Sequence, residues 1–582
     1  MSPFRRSWPR LLARLVTLAV LGAGLPPAAR SAAAASPGPS LAVVVSVDGL
    51  AWRWLDHYRP WYAAGLKRLL EESQVEAACG YRHLNTETGP GHAALSTGAP
   101  PRVTGIMANH WFEQQPDGSI RSLSCVDQPA PEGASGPGPG NLRVPTLGDR
   151  LAETRGGRVV SLSAKDRSAI FLAGRQAKHA VYWFDQESGR FTTSAGYDPP
   201  AAARAVVGAF NRTSAGAMLP ARFGTTWSRL PPPEPPTVLP APRPTPAPGL
   251  LDYQLPTLGL GWDHTLLVHP RGYFAAFYYT PFVDDLVTEL ALAFVADEAL
   301  GLGRRSAPDL LLLSLSAQDL VSHSYGAESE EGLDTLRRLD LHLGRLLEAL
   351  ERSFPKGGVV LALSADHGFP PIPEAERTRD PSHPGGRLLT SDRGHPNFLE
   401  RLNRLVAEEL CLDPLSRVIH GSDGFNLVYN RPGLPMRTIP GACGPEGAPV
   451  GPREVDRALT AVVRRHYAEE IESVYLVSDA ARWPADAEAT EYVRNDFDLE
   501  RSGDAFFVPR RGVMTHWDPA RGAMHGSHHD YDTHVPLLFW GAPFARRVST
   551  ADTTPYDLAP TLAALLGIDL PDAVGRSRVP AR

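Results

Sequence analysis

The feature that most constrains the fold is a series of short, almost uninterrupted apolar runs separated by amphipathic segments. These runs cover residues 41–47, 158–163, 309–315, 358–364 and 535–540. Such runs are typical of strands that are buried on both faces, as in a parallel sheet covered by helices. Between two of the runs, residues 332–352 have leucines at every third or fourth position, which predicts a helix. We therefore predict an α/β fold with a doubly wound, mostly parallel central sheet and helices on both faces.

The first 35 residues differ from the rest of the chain. Four arginines up to Arg14 precede or enter an apolar run at residues 15–25, and a stretch of small residues ends at Ala35. This pattern predicts a secretory signal peptide cleaved near Ala35. An uncleaved N-terminal anchor is the alternative, although the run is short for a membrane span. We therefore expect a secreted or periplasmic protein without stable membrane association.

Two later stretches depart from the strand and helix pattern. Residues 230–249 contain ten prolines, which predicts an extended surface insertion. From about residue 370 to residue 515 the pattern is irregular and rich in turns, which predicts an insertion or cap beside the active site. The expected organisation is therefore a signal peptide at 1–35, a core at 36–369, the insertion or cap at 370–515, and the rest of the core at 516–582.

The charge of the chain bears on its partners. The chain has 58 Lys and Arg against 64 Asp and Glu, and loss of the leader removes five arginines and no acidic residue, taking the net charge from −6 to −11. A protein that binds nucleic acid normally has a clustered basic face, and this sequence shows none. We expect a small-molecule substrate and no nucleic-acid partner, and we favour a monomer.

The four cysteines, Cys79, Cys125, Cys411 and Cys443, all follow the predicted leader. An exported protein meets an oxidising compartment, so two disulfides are expected. Three pairings are possible. We favour Cys79 with Cys125 and Cys411 with Cys443, because each bond would close a loop of moderate length.

Acidic and histidine side chains gather near the ends of the predicted strands, where the functional groups of α/β proteins collect. These residues are Asp48, Asp319, His323, Asp366, His367 and His525. Taken singly, each has a plainer explanation, such as an ordinary turn at Asp48 or a solvated histidine loop around His525. Together, three carboxylates and three imidazoles form a ligand set suited to zinc.

The candidate nucleophile is Thr88, in the segment Thr88-Gly-Pro-Gly-His92. It precedes an apolar helical start, so we expect it at a helix N-terminus, where backbone N–H groups and the helix dipole favour phosphate. A plain threonine N-cap is the alternative.

Lys165 and Arg167 form a further candidate pair. They follow the strand predicted at 158–163 and are two residues apart, so an extended backbone would point both the same way. That arrangement would direct two cations at one target. A solvated charge triplet, Lys165-Asp166-Arg167, is the alternative.

In sequence order, these residues resemble the motif pattern of the alkaline phosphatase superfamily over about residues 41–570. The matching motifs are Asp48-Gly49, Thr88-Gly-Pro-Gly-His92, Asn109, Asp319 with His323, Asp366-His367-Gly368 and His525-Gly526. The resemblance implies a site for two Zn²⁺ ions. It places Asp319, His323 and His525 on one ion, and Asp48, Asp366, His367 and the Thr88 oxygen on the other.

Lys165-Asp166-Arg167 looks like the signature of the phosphate-irrepressible (PafA-like) alkaline phosphatases. In that branch the equivalent Lys and Arg hold a phosphate monoester, and Asn109 resembles an Asn that also contacts the phosphate. Two zinc ions would be balanced by three carboxylates and the Thr88 alkoxide, so a monoester dianion needs the two extra cations. The resemblance therefore implies a phosphate monoesterase that forms a covalent phosphothreonine.

Three other functions are compatible with parts of this pattern. A phosphodiesterase of the nucleotide pyrophosphatase branch would use the same Thr88 and metal ligands, but Lys165 and Arg167 argue against it. A sulfatase would need Cys or Ser as the nucleophile and Arg in the place of His92. A protein that binds zinc or phosphate without catalysis is the third, and it would show no turnover.

Overall fold

The structure is a computed structural model, and it describes residues 38–580 except 116, 128–135, 214–218, 220–224, 233–263, 266–269, 383–384, 390–396, 439–442 and 517–521. The predicted signal peptide and most of the proline-rich stretch therefore lie outside the described residues. Within the described chain, no helix has both the length and the apolar character that a membrane crossing needs.

Strands and helices are numbered separately in chain order. The strands are β1 (Leu41–Val47), β2 (Gln74–Glu76), β3 (His110–Gln114), β4 (Ile120–Ser124), β5 (Val159–Ser163), β6 (Ala180–Asp185), β7 (Arg190–Thr192), β8 (Thr226–Trp227), β9 (His264–Thr265), β10 (Asp309–Leu315), β11 (Val359–Ser364), β12 (Gly386–Leu389), β13 (Ile419–Asp423), β14 (Asn426–Tyr429), β15 (Ile471–Leu476), β16 (Ala505–Pro509), β17 (Val513–His516), β18 (Leu537–Trp540) and β19 (Arg547–Ser549). The α-helices are α1 (Trp52–His57), α2 (Gly65–Glu72), α3 (Thr88–Thr97), α4 (Pro101–Thr104), α5 (Leu147–Arg155), α6 (Asp166–Ala173), α7 (Ala201–Thr213), α8 (Pro270–Tyr278), α9 (Phe282–Ala296), α10 (Ala317–Tyr325), α11 (Glu330–Ser353), α12 (Pro373–Arg379), α13 (Phe398–Glu409), α14 (Pro452–His466), α15 (Glu488–Asn495), α16 (Asp530–Thr533) and α17 (Leu558–Leu566). Short 3₁₀ helices cover Arg59–Trp61, Arg431–Gly433, Val477–Arg482 and Pro555–Asp557.

In the described part of the chain, nine strands form one sheet in the order β19-β2-β18-β11-β1-β10-β5-β6-β7. The central strand β1 runs parallel to both β10 and β11, so that Leu41 lies opposite Asp309 on one side and Val359 on the other. β5 and β6 continue the parallel arrangement, whereas β18 is antiparallel to β11 and β7 is antiparallel to β6. The predicted, mostly parallel central sheet is thus confirmed.

The two faces of the central strands belong to two different apolar cores, because successive residues of a strand point to opposite sides. Val43 and Val45 of β1 lie in the core that α2, α9 and α11 cover. Ala42 and Val44 lie in the core that α3, α5, α6 and α17 cover. Burial of one such valine contributes about 1.5–3 kcal/mol. The two cores therefore hold the ends of the central strands in defined positions.

The helix expected from the leucine pattern is found as α11. It begins with a capped N-terminus, where the Ser329 hydroxyl accepts a hydrogen bond from the Gly332 N–H at 3.0 Å. Its buried leucines, including Leu336 and Leu343, face the central sheet. The predicted 3.6-residue periodicity is therefore confirmed.

Residues 398–509, which we call the four-stranded region, contain an apolar core of their own. Their sheet has the strand order β13-β14-β16-β15, and it packs against α13 and α14 around side chains such as Leu402, Leu459 and Phe507. The sequence suggested an irregular segment here, but α13 and α14 are regular helices whose apolar faces are buried against the small sheet. The assignment of residues 370–515 as an insertion or cap stays a prediction.

One of the two expected disulfides is present in the described structure. Cys411 and Cys443 are bonded, as predicted. The predicted bond between Cys79 and Cys125 is wrong, because both are buried free thiols. Cys79 follows β2 near one edge of the nine-stranded sheet, whereas Cys125 follows β4 in a separate two-stranded hairpin. Burial raises the pKa of Cys125 to about 12, so its thiol stays protonated.

Candidate active site

The predicted metal ligands meet at one edge of the nine-stranded sheet, the edge formed by the carboxyl-terminal ends of its central strands. Asp48 follows β1 directly, and Asp366 and His367 come just after β11. Asp319 and His323 lie on α10, which begins immediately after β10. Because β1, β10 and β11 are parallel neighbours, their carboxyl ends bring these side chains together.

His525 reaches the same edge because β18 runs in the opposite direction to its neighbour. Ser364 at the end of β11 lies opposite Leu537 at the start of β18. The segment before an antiparallel strand therefore lies where the parallel strands end. The Nε2 atom of His525 is 3.4 Å from Asp319 Oδ1.

The six side chains form two groups, and all six are buried. One group is Asp319, His323 and His525, and the other is Asp48, Asp366 and His367. Within each group the potential ligand atoms lie within 4.8 Å of one another. These are the two sets that the family resemblance implies for two separate ions.

Backbone carbonyl groups orient all three histidines. The Nδ1 atoms of His323, His367 and His525 hydrogen-bond to the carbonyl oxygens of Ala523, Gly368 and Thr86 at 3.0, 2.8 and 2.8 Å. A neutral imidazole that donates from Nδ1 has its lone pair on Nε2, which here faces the clusters. Histidines that bind metals are usually held by such an outer hydrogen bond.

Several potential ligand atoms are buried without a hydrogen-bond partner. Asp48 Oδ1, Asp319 Oδ1 and His367 Nε2 form no hydrogen bond with any residue that the structure describes. Leaving a buried polar atom without a partner costs about 1–3 kcal/mol, and more when the group is charged. Two cations held by the clusters would satisfy these atoms, so the residues present fit a two-metal site.

One buried lysine links the two groups. Lys165 Nζ is 2.7 Å from Asp48 Oδ2 and 2.6 Å from Asp319 Oδ2. Burial by itself would raise the pKa of Asp48, but the Lys165 ammonium holds that pKa well below its usual range. Burial would likewise lower the pKa of His367, yet the facing carboxylates of Asp366 and Asp48 raise it to about 10. The pKa shift of Asp48 shows that its carboxylate stays ionised beside Lys165, and the pKa shift of His367 shows that negative charge dominates around its ring.

Thr88 is the first residue of α3, so its predicted place at a helix N-terminus is confirmed. The N-cap position belongs to Glu87 and Thr88 lies inside the helix, so the alternative of a plain threonine N-cap is wrong. Thr88 Oγ1 lies 3.4 Å from Lys165 Nζ. It lines a cavity of about 490 Å³ that Asp319, His323 and His525 also line.

Lys165 and Arg167 both line this cavity, but the backbone that brings them there is not the expected one. Lys165 is extended, with φ −102° and ψ 137°, whereas α6 begins at Asp166 and places Arg167 in its first turn. The prediction of one extended segment across both residues is therefore wrong. The solvated charge triplet is also wrong for Lys165, whose side chain is 2% exposed, while that of Arg167 is 30% exposed.

Asn109 lines the cavity beside Thr88. Its Oδ1 accepts a hydrogen bond from the Gly89 N–H at 2.8 Å, and its backbone N–H donates to Glu87 Oε2 at 2.6 Å. Because the carboxamide oxygen is engaged in this way, the amide NH₂ is the group that can donate to a ligand.

The structure adds residues that no sequence motif indicated. Asp423 and Phe425 from the four-stranded region and Tyr278 from the end of α8 line the same cavity. Asp284, on α9, accepts a hydrogen bond from the Ser316 N–H at 2.9 Å, directly before the helix that carries two of the clustered side chains. These residues are distant in sequence from the motifs, and only their packing reveals them.

His528 and His529, which follow His525 closely, belong to neither cluster in the described structure. The His529 Nε2 hydrogen-bonds to the Pro509 carbonyl at 3.0 Å. The ring of His528 packs against Tyr492, with 5.4 Å between ring centroids. Both rings therefore join the four-stranded region to the segment that carries His525.

Comparison with known proteins shows similarity along almost the whole chain. Residues 42–532 match the family model described as type I phosphodiesterase / nucleotide pyrophosphatase. Alkaline phosphatase PhoK of Sphingomonas sp is 29% identical over 570 residues, which cover 92% of this chain and 90% of that protein. Alkaline phosphatase PhoD of Zymomonas mobilis is 28% identical over 567 residues, which cover 93% of this chain and 88% of that protein.

The crystal structure of wild-type alkaline phosphatase PafA has the same fold. It superposes with a TM-score of 0.74 at 23% sequence identity, and the alignment covers 94% of this chain and 99% of that chain. The shared architecture therefore includes the four-stranded region as well as the nine-stranded sheet.

Proposed function

The chain belongs to the type I phosphodiesterase / nucleotide pyrophosphatase family, and we propose that it is a zinc-dependent alkaline phosphatase that hydrolyses phosphate monoesters. The observation that carries the proposal is the pair of cations, Lys165 and Arg167, in the cavity that Thr88 lines. The names of the relatives PhoK and PhoD, both alkaline phosphatases, support the same reaction.

Two Zn²⁺ ions are the proposed cofactors. Asp319, His323 and His525 would hold one ion, and Asp48, Asp366 and His367 would hold the other together with the Thr88 oxygen. Mixed imidazole and carboxylate ligands suit zinc. When bound, the ions would supply Lewis acidity, which lowers the pKa of a coordinated hydroxyl group and neutralises charge on a leaving oxygen.

Lys165, Arg167 and Asn109 are the proposed phosphate-binding residues. The guanidinium group can bond two phosphate oxygens at once, and the Asn109 NH₂ can donate to a third. Lys165 is almost fully removed from water, so solvent screens its interaction with a phosphate only weakly. These contacts stabilise the negative charge on the phosphoryl oxygens during transfer.

Thr88 is the proposed nucleophile. Its Oγ forms a bond to phosphorus while the bond from phosphorus to the leaving oxygen breaks, which releases the alcohol and leaves a phosphothreonine. A water oxygen then bonds to phosphorus as the bond to Thr88 Oγ breaks. Inorganic phosphate leaves and the threonine hydroxyl is restored. The N–H groups at the start of α3 favour the phosphoryl charge in both steps.

A phosphodiesterase is the second candidate, because the matching family model carries that name. A diester has one negative charge and a second organic group on phosphorus. Lys165 and Arg167 present two positive charges, which complement the dianion of a monoester better. The second organic group of a diester would also have to displace one of their contacts with the phosphate oxygens.

The decisive test compares kcat/KM for p-nitrophenyl phosphate and bis(p-nitrophenyl) phosphate, with purified protein whose zinc content is measured. We expect a preference of at least about 10²-fold for the monoester, because the two cations act on its extra charge. Chelation should abolish the activity and zinc should restore it. A preference for the diester would move the protein to the phosphodiesterases, and zinc-loaded protein inactive on both esters would indicate a binding protein.

Export through the leader at residues 1–35 is part of the same proposal. The segment has the charged start, apolar centre and small-residue end of a signal peptide. N-terminal sequencing of the mature protein should begin just after Ala35, and recovery of the full-length chain in the membrane fraction would contradict cleavage.

A further inference from the structure

The cavity that holds the predicted nucleophile is lined by two different parts of the molecule. One part of the lining belongs to the nine-stranded sheet and its helices. Lys165 and Arg167 follow β5, and Thr88 is the first residue of α3. Another part of the lining comes from the tight turn between β13 and β14, which contributes Asp423 and Phe425. If the phosphate of a substrate binds beside Thr88, the turn residues lie near the leaving group of that substrate.

The position of this turn is well defined. Gly424 has φ +51°, a conformation that favours glycine, and a Cβ atom there would lie 2.6 Å from Asn85 Oδ1. The turn therefore approaches the loop that precedes Thr88 closely. Phe425 anchors it from the other side, because its ring packs against Phe507 in the core of the four-stranded region at 5.5 Å between centroids.

Asp423 is the unusual group in this turn. Its Oδ2 is buried and accepts no hydrogen bond from any described residue. Burial, and then the nearby charge of Glu87, raise the pKa of Asp423 to about 7. Both effects indicate a carboxylate that faces the cavity without a positive partner from the described protein, and a bound cation would relieve both.

Glu87 lines the cavity as well, but its carboxylate already accepts the hydrogen bond from the Asn109 N–H. Asp423 Oδ2 has no such partner among the described residues, so it is available to accept a hydrogen bond from a ligand. The aromatic side chains of Phe425 and Tyr278 line the same space, and aromatic faces also attract ammonium groups.

We propose that Asp423 makes this enzyme prefer phosphate monoesters whose leaving group carries an ammonium group, such as ω-aminoalkyl phosphates. The phosphate binds at Lys165 and Arg167, and the ammonium group pairs with Asp423. The inference rests on the proposed phosphatase function and adds a substrate class to it. A neutral leaving group gains nothing from Asp423, and an anionic one is repelled.

The test measures kcat/KM for 2-aminoethyl phosphate, n-propyl phosphate and 2-carboxyethyl phosphate, in zinc-loaded protein at pH 8.5, where Asp423 is ionised. The wild-type protein is compared with Asp423→Asn, which keeps the shape of the side chain. Differences in the chemical reactivity of the three esters cancel, because each ester is compared with itself in the two proteins. Asp486→Asn is the matched control, since it removes an exposed acidic group of the same region that does not line the cavity.

Asp423→Asn should lower kcat/KM about tenfold for the aminoethyl ester, because a charged hydrogen bond is lost. It should leave the propyl ester unchanged within about twofold and should raise the value for the carboxyethyl ester. The Asp486→Asn control should change none of the three. Inhibition by inorganic phosphate should be unaffected, which would show that the phosphate end of the cavity is intact.

An equal loss for all three esters, or no change for any of them, would overturn the inference while leaving the phosphatase function in place. A lower zinc content in Asp423→Asn would overturn it too, because Asp423 would then be a metal ligand. If p-nitrophenyl phosphate is not hydrolysed by any of the proteins, the phosphatase function fails first, and the inference fails with it.

Discussion

The two regions that meet at the cavity bury their charged groups to very different degrees. At the edge of the nine-stranded sheet, Asp48, Asp366 and Lys165 are all buried. In the turn of the four-stranded region, Ser422 and Asp423 as whole residues are only partly buried, although the Oδ2 atom of Asp423 is buried. Each region has its own apolar core.

This difference in burial suggests that the two regions have different roles in catalysis and in substrate selection. Interlinked, fully buried groups are held in one geometry, which is what phosphoryl transfer needs. A partly exposed turn on a separate core can change without disturbing that geometry, which suits contacts with the variable part of a substrate. Changes at the sheet edge should therefore affect all substrates, and changes in the four-stranded region should affect selected substrates or local stability.

The largest effect is expected for Thr88→Ala at the sheet edge. Without the nucleophile, kcat/KM for p-nitrophenyl phosphate should fall at least about 10³-fold. The zinc content should stay unchanged, because all the carboxylate and imidazole ligands remain. Thr88→Ser is the matched control, since it keeps a hydroxyl group and should retain measurable turnover. Activity close to the wild-type value in Thr88→Ala would rule out the nucleophile assignment.

The next effect is expected for the double variant Lys165→Ala/Arg167→Ala. We expect kcat/KM for the monoester to fall about 10²- to 10³-fold, because both cations that face the phosphate are lost. The loss for bis(p-nitrophenyl) phosphate should be much smaller, since a diester carries less charge. Steady-state kinetics on both esters measure the difference, and an equal loss would contradict the assigned role.

In the four-stranded region, Cys411→Ser/Cys443→Ser should affect stability rather than catalysis. The disulfide joins residues 32 positions apart, and a loop of this size corresponds to about 3–4 kcal/mol of stabilisation in the chain-entropy model. Limited proteolysis should cleave the four-stranded region faster in the variant. The value of kcat/KM for the monoester should change less than twofold, and a large loss would show that the two regions are more tightly coupled than we infer.

The smallest expected effect is on the pH dependence of stability and concerns Asp284, which accepts a hydrogen bond from the Ser316 N–H beside α10. Burial raises its pKa to about 8, although the backbone N–H bonds it accepts act in the other direction. An unfolded Asp has a pKa of about 3.9, so the folded state holds this proton up to a higher pH than the unfolded state. Its stabilising contribution is therefore complete below about pH 4 and is lost as the pH rises through 8.

This dependence is measured as the free energy of unfolding of the metal-free protein between pH 6 and pH 9. One group contributes a fall of at most about 1.4 kcal/mol per pH unit. Asp284→Asn should reduce the fall, because the side chain no longer titrates. Glu298→Gln, at an exposed position near the end of the same helix, should leave it unchanged. An identical pH slope in Asp284→Asn and wild type would show that Asp284 is already ionised at pH 6.

Much of the site could be predicted because it depends on local sequence. A strand buried on both faces must be apolar throughout, so β1, β10 and β11 were recognisable. The polar residues that follow them, such as Asp48 and Asp366, then had to meet at one edge. The resemblance to the alkaline phosphatase superfamily added the order of the motifs, and the family match confirms the resemblance itself.

The remaining features depend on segments that are distant in the chain. α6 begins at Asp166, two residues earlier than an extended segment through Arg167 would allow. The regular helices of the four-stranded region bury their apolar faces against strands up to about 100 residues away, which a pattern of turns does not reveal.

The sequence by itself determined the central strands and the polar groups at their ends, because a strand buried on both faces is apolar throughout and the first polar residues mark where it ends. Only the tertiary structure decided that Cys79 and Cys125 stay apart and that Asp423 enters the cavity of Thr88. The physical reason is that Cys79 and Cys125 follow strands of different sheets although they share one core, and that Asp423 reaches the cavity through a turn packed against the loop before Thr88. Local residue patterns carry no information about contacts between segments that are distant in the chain.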